Sequence, residues 1–286
     1  MCKVEPNNKY KKEWEELEGA KPAPNSFRKI CEIDYSKFEN QVKIQNNGFV
    51  KNITSSFYSG DFFILKNAFS STFINKLKSS LMEYSKKSPS TFFKMKEGCP
   101  DFHRIQNEDH LGKYSVDAVR HSFYFFSWND DPLKIREKLY KKWRIIKFAS
   151  GRSFTEWEKN TPKDGVVDRV QIVKYPPGSG YIEPHVHDPI NQRIIVSVFM
   201  SEIGKDFSKG GCHFYNKKNQ KVSVEDRIQI GDIGLFYASL RHCVDPVMAE
   251  ESLLKNKDTD GRWWIGLYSP ESDELDKRHT SSPAVE

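Results

Sequence analysis

Residues Asp168–Tyr175 read DRVQIVKY, and Pro176–Pro189 continue PPGSGYIEPHVHDP. The first piece is short, rich in β-branched residues and bounded by turn formers, so it reads as a strand. Pro176, Pro177, Gly178 and Gly180 then break the chain, and a second extended piece leaves that turn carrying His185 and His187. The texture persists downstream in RIIVSVFMS (193–201), GGCHFY (210–215), KVSVEDRIQI (221–230), GDIGLFYA (231–238), HCVDPV (242–247) and RWWIGLYS (262–269). Many short strands punctuated by Gly and Pro indicate a β-sandwich or barrel. Gly210-Gly211 and Gly231-Asp232 mark the turns before their strands.

Upstream of residue 165 the pattern is helical. FFIL (62–65) reads as a strand running into a helix capped near Ser70 or Ser71, with Phe73, Ile74, Leu77 and Leu81 on one face. A second helix is expected over DDPLKIREKLYKKWRIIKF, with Asp131 as cap, Pro132 at the first helical position and Ile135, Leu139, Trp143 and Ile146 recurring at helical spacing. Residues 1–45 read as a polar arm with one short helix, KKEWEELEG, ending on Gly19, and residues 271–286 as a disordered tail. The expected organisation is therefore arm (1–45), helical and strand support (46–165), β core (166–270) and tail, all belonging to one catalytic-size domain.

The net charge of +6 reflects 45 basic and 39 acidic residues spread along the chain. A basic stripe with interleaved aromatics is missing, so nucleic acid is not expected as a partner. Neither a membrane span nor an apolar leader is legible, which points to a soluble, cytoplasmic protein. Five scattered cysteines, Cys2, Cys31, Cys99, Cys212 and Cys243, show no CxxC spacing, against both a disulfide framework and a cysteine zinc site.

Side chains at i and i+2 of a strand share a face, so His185 and His187 can converge on one ion while Asp188 points elsewhere. His242, following an apolar strand, is the best third ligand. Three ligands on one face with open positions suit mononuclear non-haem iron, although imidazole also suits zinc, copper and nickel. The competing reading makes His185 and His187 surface histidines beside a turn. His213 reads as an ordinary strand residue and Arg193 as a salt-bridged one. DFHR and AVRHSFYFF place Arg104 and Arg120, with His103 and His121, ahead of the barrel. They could bind an anionic substrate, but polar residues there are commonplace in edge strands, and they stay outside the candidate set.

The ordered series VKYPPGSGYIEPHVHDP, SVFMS, GGCHFY, GDIGLFYASLRHCVDPV and GRWWIGLYS resembles the prolyl-hydroxylase-type branch of the iron(II) and 2-oxoglutarate-dependent oxygenases, over roughly residues 168–270. The resemblance implies a double-stranded β-helix (jelly-roll) core with supporting N-terminal helices. It also implies Fe(II), 2-oxoglutarate and O2 as cofactor and co-substrates, and hydroxylation of a small-molecule substrate. Carried over by position, His185 is the first metal ligand and His242 the last. Arg262 would anchor the far carboxylate of 2-oxoglutarate, displaced downstream by the insertion MAEESLLKNKDTD, and Tyr175 would hydrogen-bond the same co-substrate. His187 stands where the family has an aspartate, leaving three possibilities: a three-histidine site, a shifted turn in which Asp188 supplies the carboxylate, or a degenerate site. Two alternatives remain. A cupin-like three-histidine dioxygenase would use no keto acid, but IN and QR stand where its glutamate belongs and FYASLRH lacks its PxG turn. A non-catalytic β-helix module binding a small ligand is the other.

Overall fold

The computed structural model describes residues 7–255 and 258–284. Its elements are α1 (Lys9–Ala20), β1 (Ile30–Asp34), α2 (Tyr35–Ile44), α3 (Asn47–Phe57), β2 (Phe62–Lys66), α4 (Ser71–Ser85), β3 (Phe102–Gln106), β4 (Ala118–Phe126) and α5 (Arg136–Ala149). The strand-rich part follows as β5 (Arg169–Tyr175), β6 (Tyr181–Val186), β7 (Ile194–Phe199), β8 (Lys209–Tyr215), β9 (Lys221–Ser223), β10 (Ile233–Tyr237), β11 (His242–Met248), β12 (Arg262–Tyr268) and β13 (Ser282–Pro283).

Strands β5, β12, β7 and β10 form one antiparallel sheet, and β6, β11, β8 and β9 form the other. Between β5 and β8 each strand joins the sheet its predecessor does not, and β9–β12 repeat the alternation. This winding is the expected double-stranded β-helix, or jelly roll. The first sheet is extended by β2 and β1 beyond β10, and by β4 and β3 beyond β5. β4 pairs with β5 through His121–Phe126 and with β6 through Ala118 and Val119, so it belongs to both sheets.

The helices cover the outer face of the larger sheet, and their apolar stripes merge with it into one core. Ser70 caps α4 as expected, its hydroxyl accepting from Phe73 N. α5 starts later than expected. Asp131 accepts from Ile135 N and Arg136 N at 3.0 and 2.9 Å, and Lys134 has a φ of 52°, so residues 132–134 form a turn beneath the cap. Gly231 turns into β10 with a φ of 93°, and a Cβ there would lie 2.1 Å from Phe69 O, so only glycine fits.

Both ends of the chain depart from expectation. The segment read as a polar arm is built into the fold: β1 pairs in parallel with β2, and α1 buries Tyr10 and Trp14 completely. Trp14 Nε1 donates to Ala149 O at 2.9 Å, and its ring packs against Tyr237 at 5.7 Å. Two aromatics one helical turn apart supply enough buried area to dock an otherwise charged helix. The tail read as disordered buries Glu271 and Ser272, and β13 adds to the edge of β6 with Ser282 opposite Val186. Cys31, Cys99, Cys212 and Cys243 form no disulfide, and Cys2 lies outside the described residues. Among the described residues no helix is long and apolar enough to cross a membrane.

Candidate metal centre and cavity

The structure brings His185, His187 and His242 together. Their ring centroids lie 4.3 to 5.1 Å apart, and one ligand atom from each falls within 4.8 Å of the others. Local structure explains the convergence: His242 is the direct cross-strand partner of His185 on β11 and β6, and His187 is two residues further along the same extended segment. Asp188 is not in the cluster. Its Oδ1 accepts from Ile190 N at 2.9 Å, closing the turn after β6.

Each imidazole is oriented through its Nδ1. His185 donates to Glu183 O at 2.8 Å and His242 to Leu240 O at 2.9 Å, which fixes both with the lone pair on Nε2. The Nδ1 of His187 lies 2.8 Å from Ser281 Oγ, and its Nε2 is buried without a hydrogen-bond partner. A buried polar atom with no partner is costly unless something occupies the space it faces. Burial lowers the pKa of all three rings, that of His242 to about 4, and the mutual proximity of the histidines lowers His185 and His187 further. Three neutral imidazoles with inward lone pairs form a donor set that fits a divalent transition metal. Phe236 and Phe214 pack on His242 at 4.7 and 5.6 Å and Tyr268 on His187 at 5.6 Å, shielding the cluster from water.

The cluster opens into a cavity of about 600 Å³ that also contains Arg262 and Tyr175 in its lining. These two stand opposite each other on β12 and β5. The Tyr175 hydroxyl is buried without a hydrogen-bond partner, and burial raises its pKa. Arg262 is buried, and its Nε donates to Glu225 Oε1 at 2.6 Å, an oxygen that also accepts from Cys212 N at 2.7 Å. Burial works against the guanidinium charge, but Glu225, with smaller contributions from Cys212 and Tyr175, leaves the Arg262 pKa raised. Since Glu225 takes Nε, the terminal nitrogens remain for another acceptor.

His213 lies on the face of β8 opposite to buried Cys212 and Phe214, with Nδ1 2.9 Å from Gly211 O. Arg193 is salt-bridged to Glu18, at 2.6 and 2.8 Å. Sequence reasoning missed Ser281 and Glu225, both in polar stretches, and Arg169, which shares its face of β5 with Tyr175 by strand alternation. Arg104 and Arg120, set aside at the sequence level, line the cavity.

No family model matches the chain, and no curated protein matches it. Among solved structures, a Pseudomonas putida prolyl-4-hydroxylase is similar with a TM-score of 0.48 and 8% identity, over 73% of this chain and 92% of the other. A Trichoplax adhaerens prolyl hydroxylase in complex with a hypoxia-inducible-factor peptide fragment has a TM-score of 0.48 and 14% identity, over 84% and 92%. A full-length Neurospora crassa protein in complex with alpha-KG has a TM-score of 0.48 and 13% identity, over 85% of each chain. Likenesses of this size say nothing of activity, which has to be argued from the side chains.

Proposed function

We propose that the protein is a non-haem iron(II) and 2-oxoglutarate-dependent oxygenase that hydroxylates a small molecule, with His185, His187 and His242 as its metal ligands. The observation that carries this reading is the convergence of three neutral imidazoles, one with an orphaned Nε2, at the base of a jelly-roll cavity. Bound there with 2-oxoglutarate and O2, iron supplies a centre oxidising enough to take hydrogen from an unactivated C–H bond. The chain's own share is positioning and shielding. The Nδ1 partners hold the three rings, and the aromatic rings around them exclude water. The terminal nitrogens of Arg262 would pair with the distal carboxylate of the keto acid, and the Tyr175 hydroxyl would donate to the same molecule. Three neutral imidazoles, with His187 in place of a carboxylate, would leave the charge of a divalent metal uncompensated by its protein ligands and so would favour an anionic chelator.

A second reading has its own support. Glu225 already neutralises Arg262, which weakens the pull on a second carboxylate and favours a three-histidine dioxygenase that needs no keto acid. Anaerobic titration of metal-free protein with ferrous iron and then 2-oxoglutarate separates the two. The chelated keto acid gives a weak visible charge-transfer band, expected in wild type, lost in His187→Ala, retained in Asp188→Ala and reached only at higher 2-oxoglutarate in Arg262→Ala. Stoichiometric iron binding without a band would refute the keto-acid reading in favour of the second, and no iron binding would leave a ligand-binding module.

A further inference from the structure

Strand alternation puts Arg120 and Tyr124 of β4 on the same face as Arg169 and Tyr175 of β5, and Arg104 of β3 joins them across the register with Ser122. All of these arginines and tyrosines line the cavity. The guanidinium carbons of Arg104 and Arg169 lie 5.3 and 5.4 Å from the Tyr124 ring centroid. Arg104 also lies against the stacked pair of Phe92, at 4.7 Å, and Tyr114, at 5.2 Å. Cation–π attraction to these rings helps to hold the guanidinium at the cavity wall.

Of the other cationic groups here, Lys94 is exposed to solvent and the buried or half-buried ones have carboxylate partners. Arg262 pairs with Glu225 and Arg278 with Asp273, and the cavity-lining Glu271 is engaged by His279 and Asn191. Arg104, Arg120 and Arg169 form no ion pair among the described residues. Arg120 donates to Gln106 Oε1 and Arg169 to Gln171 Oε1, both at 2.9 Å, and both acceptors are neutral amides. The Nε atoms of Arg104 and Arg169 are buried with no partner at all. Burial pulls the Arg169 pKa down to about 10, and Arg278 and Arg104 add to the drop. Against its own burial, the three arginines together hold the Tyr124 hydroxyl below its usual pKa, so their fields converge on one spot. One carboxylate on the lining, Asp188, is turned to its own loop. Three half-buried positive charges without a counter-ion are unfavourable unless a ligand supplies it.

We infer that the cavity takes a small molecule bearing a doubly charged oxyanion, a phosphate monoester or a pair of neighbouring carboxylates, held by Arg104, Arg120 and Arg169 with its remainder lying toward the three histidines. The guanidinium edges match such oxygens two at a time, and the rings of Phe92, Tyr114 and Tyr124 suit a planar apolar body beside the anionic head. Only the description of this molecule as a substrate rests on the proposed function. Arg262, the residue assigned to the keto acid, lies on the other side of Tyr175 from Arg120.

Calorimetric titration of the metal-free full chain tests it, using phenyl phosphate, phthalate and uncharged phenol as probes, in wild type and in Arg120→Gln, Arg169→Gln, Arg262→Gln and the surface control Arg144→Gln. A dianion is expected to bind one to one at low salt with phenol at least about tenfold weaker, and each of the first two substitutions to weaken it by about tenfold or more. Arg144→Gln should leave it unchanged, and Arg262→Gln should weaken it less than either of those two. Which probe binds separates phosphate from dicarboxylate. In the ligand-free state Arg120→Gln and Arg169→Gln should melt no lower than wild type, because an uncompensated charge has been removed; a purely structural role would lower the melting point. Equal binding of phenol, indifference to both arginine substitutions, or dependence on Arg262 alone would overturn the inference. Metal is absent throughout, so a failed iron titration leaves this result standing. A charge-transfer band without dianion binding would sink the inference alone.

Discussion

Ser281→Ala should weaken metal binding without unfolding the protein. The Nδ1 atoms of His185 and His242 are held by main-chain carbonyls that no side-chain substitution removes, whereas the Nδ1 of His187 depends on one hydroxyl 2.8 Å away. Deleting that hydroxyl forfeits a hydrogen bond worth about 1 kcal/mol and frees the ring to rotate and to change tautomer. Loss of such an orienting partner typically reduces metal affinity by about 10- to 100-fold, equivalent to about 1.4–2.7 kcal/mol. Ser281 is only partly buried, so the cost to folding should stay within about 1 kcal/mol. Competition between the metal-free protein and a chromophoric chelator for Co(II) or Fe(II) reads the affinity directly, with Ser281→Thr restoring most of it and His187→Ala falling below Ser281→Ala. If Ser281→Ala binds within about twofold of wild type while His187→Ala is impaired, the argument that this hydroxyl positions the ligand is wrong.

Three further outcomes are expected. Trp14→Ala should cost about 3–5 kcal/mol in urea unfolding, because the ring is fully buried and its N–H is bonded to Ala149 O; a loss under about 1 kcal/mol would return α1 to the status of a loose arm. Burial lowers the His121 pKa to about 3, with His103 and Lys174 contributing, so between pH 6.5 and about 3 the unfolded chain binds a proton that the folded one refuses. Stability is therefore full above pH 6.5 and should fall as pH drops, by about 1.4 kcal/mol per unit from this residue, and His121→Asn should flatten that slope by one proton. Glu225→Ala leaves Arg262 buried without its carboxylate and should destabilise the protein by about 3–5 kcal/mol, measured by denaturant unfolding; a saturating dicarboxylate should recover part of the loss.

The proximity of His185 and His187 was legible because it is local, the two sharing a face by alternation, whereas His242 was reached from the apolar strand it follows and from the resemblance. A β-sandwich or barrel was legible because its turns are written in Gly and Pro, and the jelly-roll winding was an implication of the resemblance. What escaped depends on contacts between residues remote in the chain. Tyr10 and Trp14 are two aromatics in a helix that is otherwise mostly charged, and the surfaces that receive them, Phe148 for Tyr10 and Phe57, Tyr58 and Tyr237 for Trp14, come from remote parts of the chain. Ser281 has no local signature, since its partner lies 94 residues earlier. Asp131 reads as the cap with Pro132 opening the helix, but the turn at Lys134 moves the N-cap to Ile135. Asp131 reaches the helix start only through its side chain, accepting from Ile135 N and Arg136 N.

Strand β4 is hydrogen-bonded to both sheets of the jelly roll, and Arg120 sits at the step between its two paired stretches. A sandwich stitched along one seam cannot gape there, so the two sheets can part only from the opposite side, as a book opens away from its spine. The separation between Arg120 and His185 is then set by the hydrogen-bonded pairing of β4 with β6. A molecule gripped near the spine would be measured against a fixed ruler, and the atom it offers to the histidines would be chosen by its length.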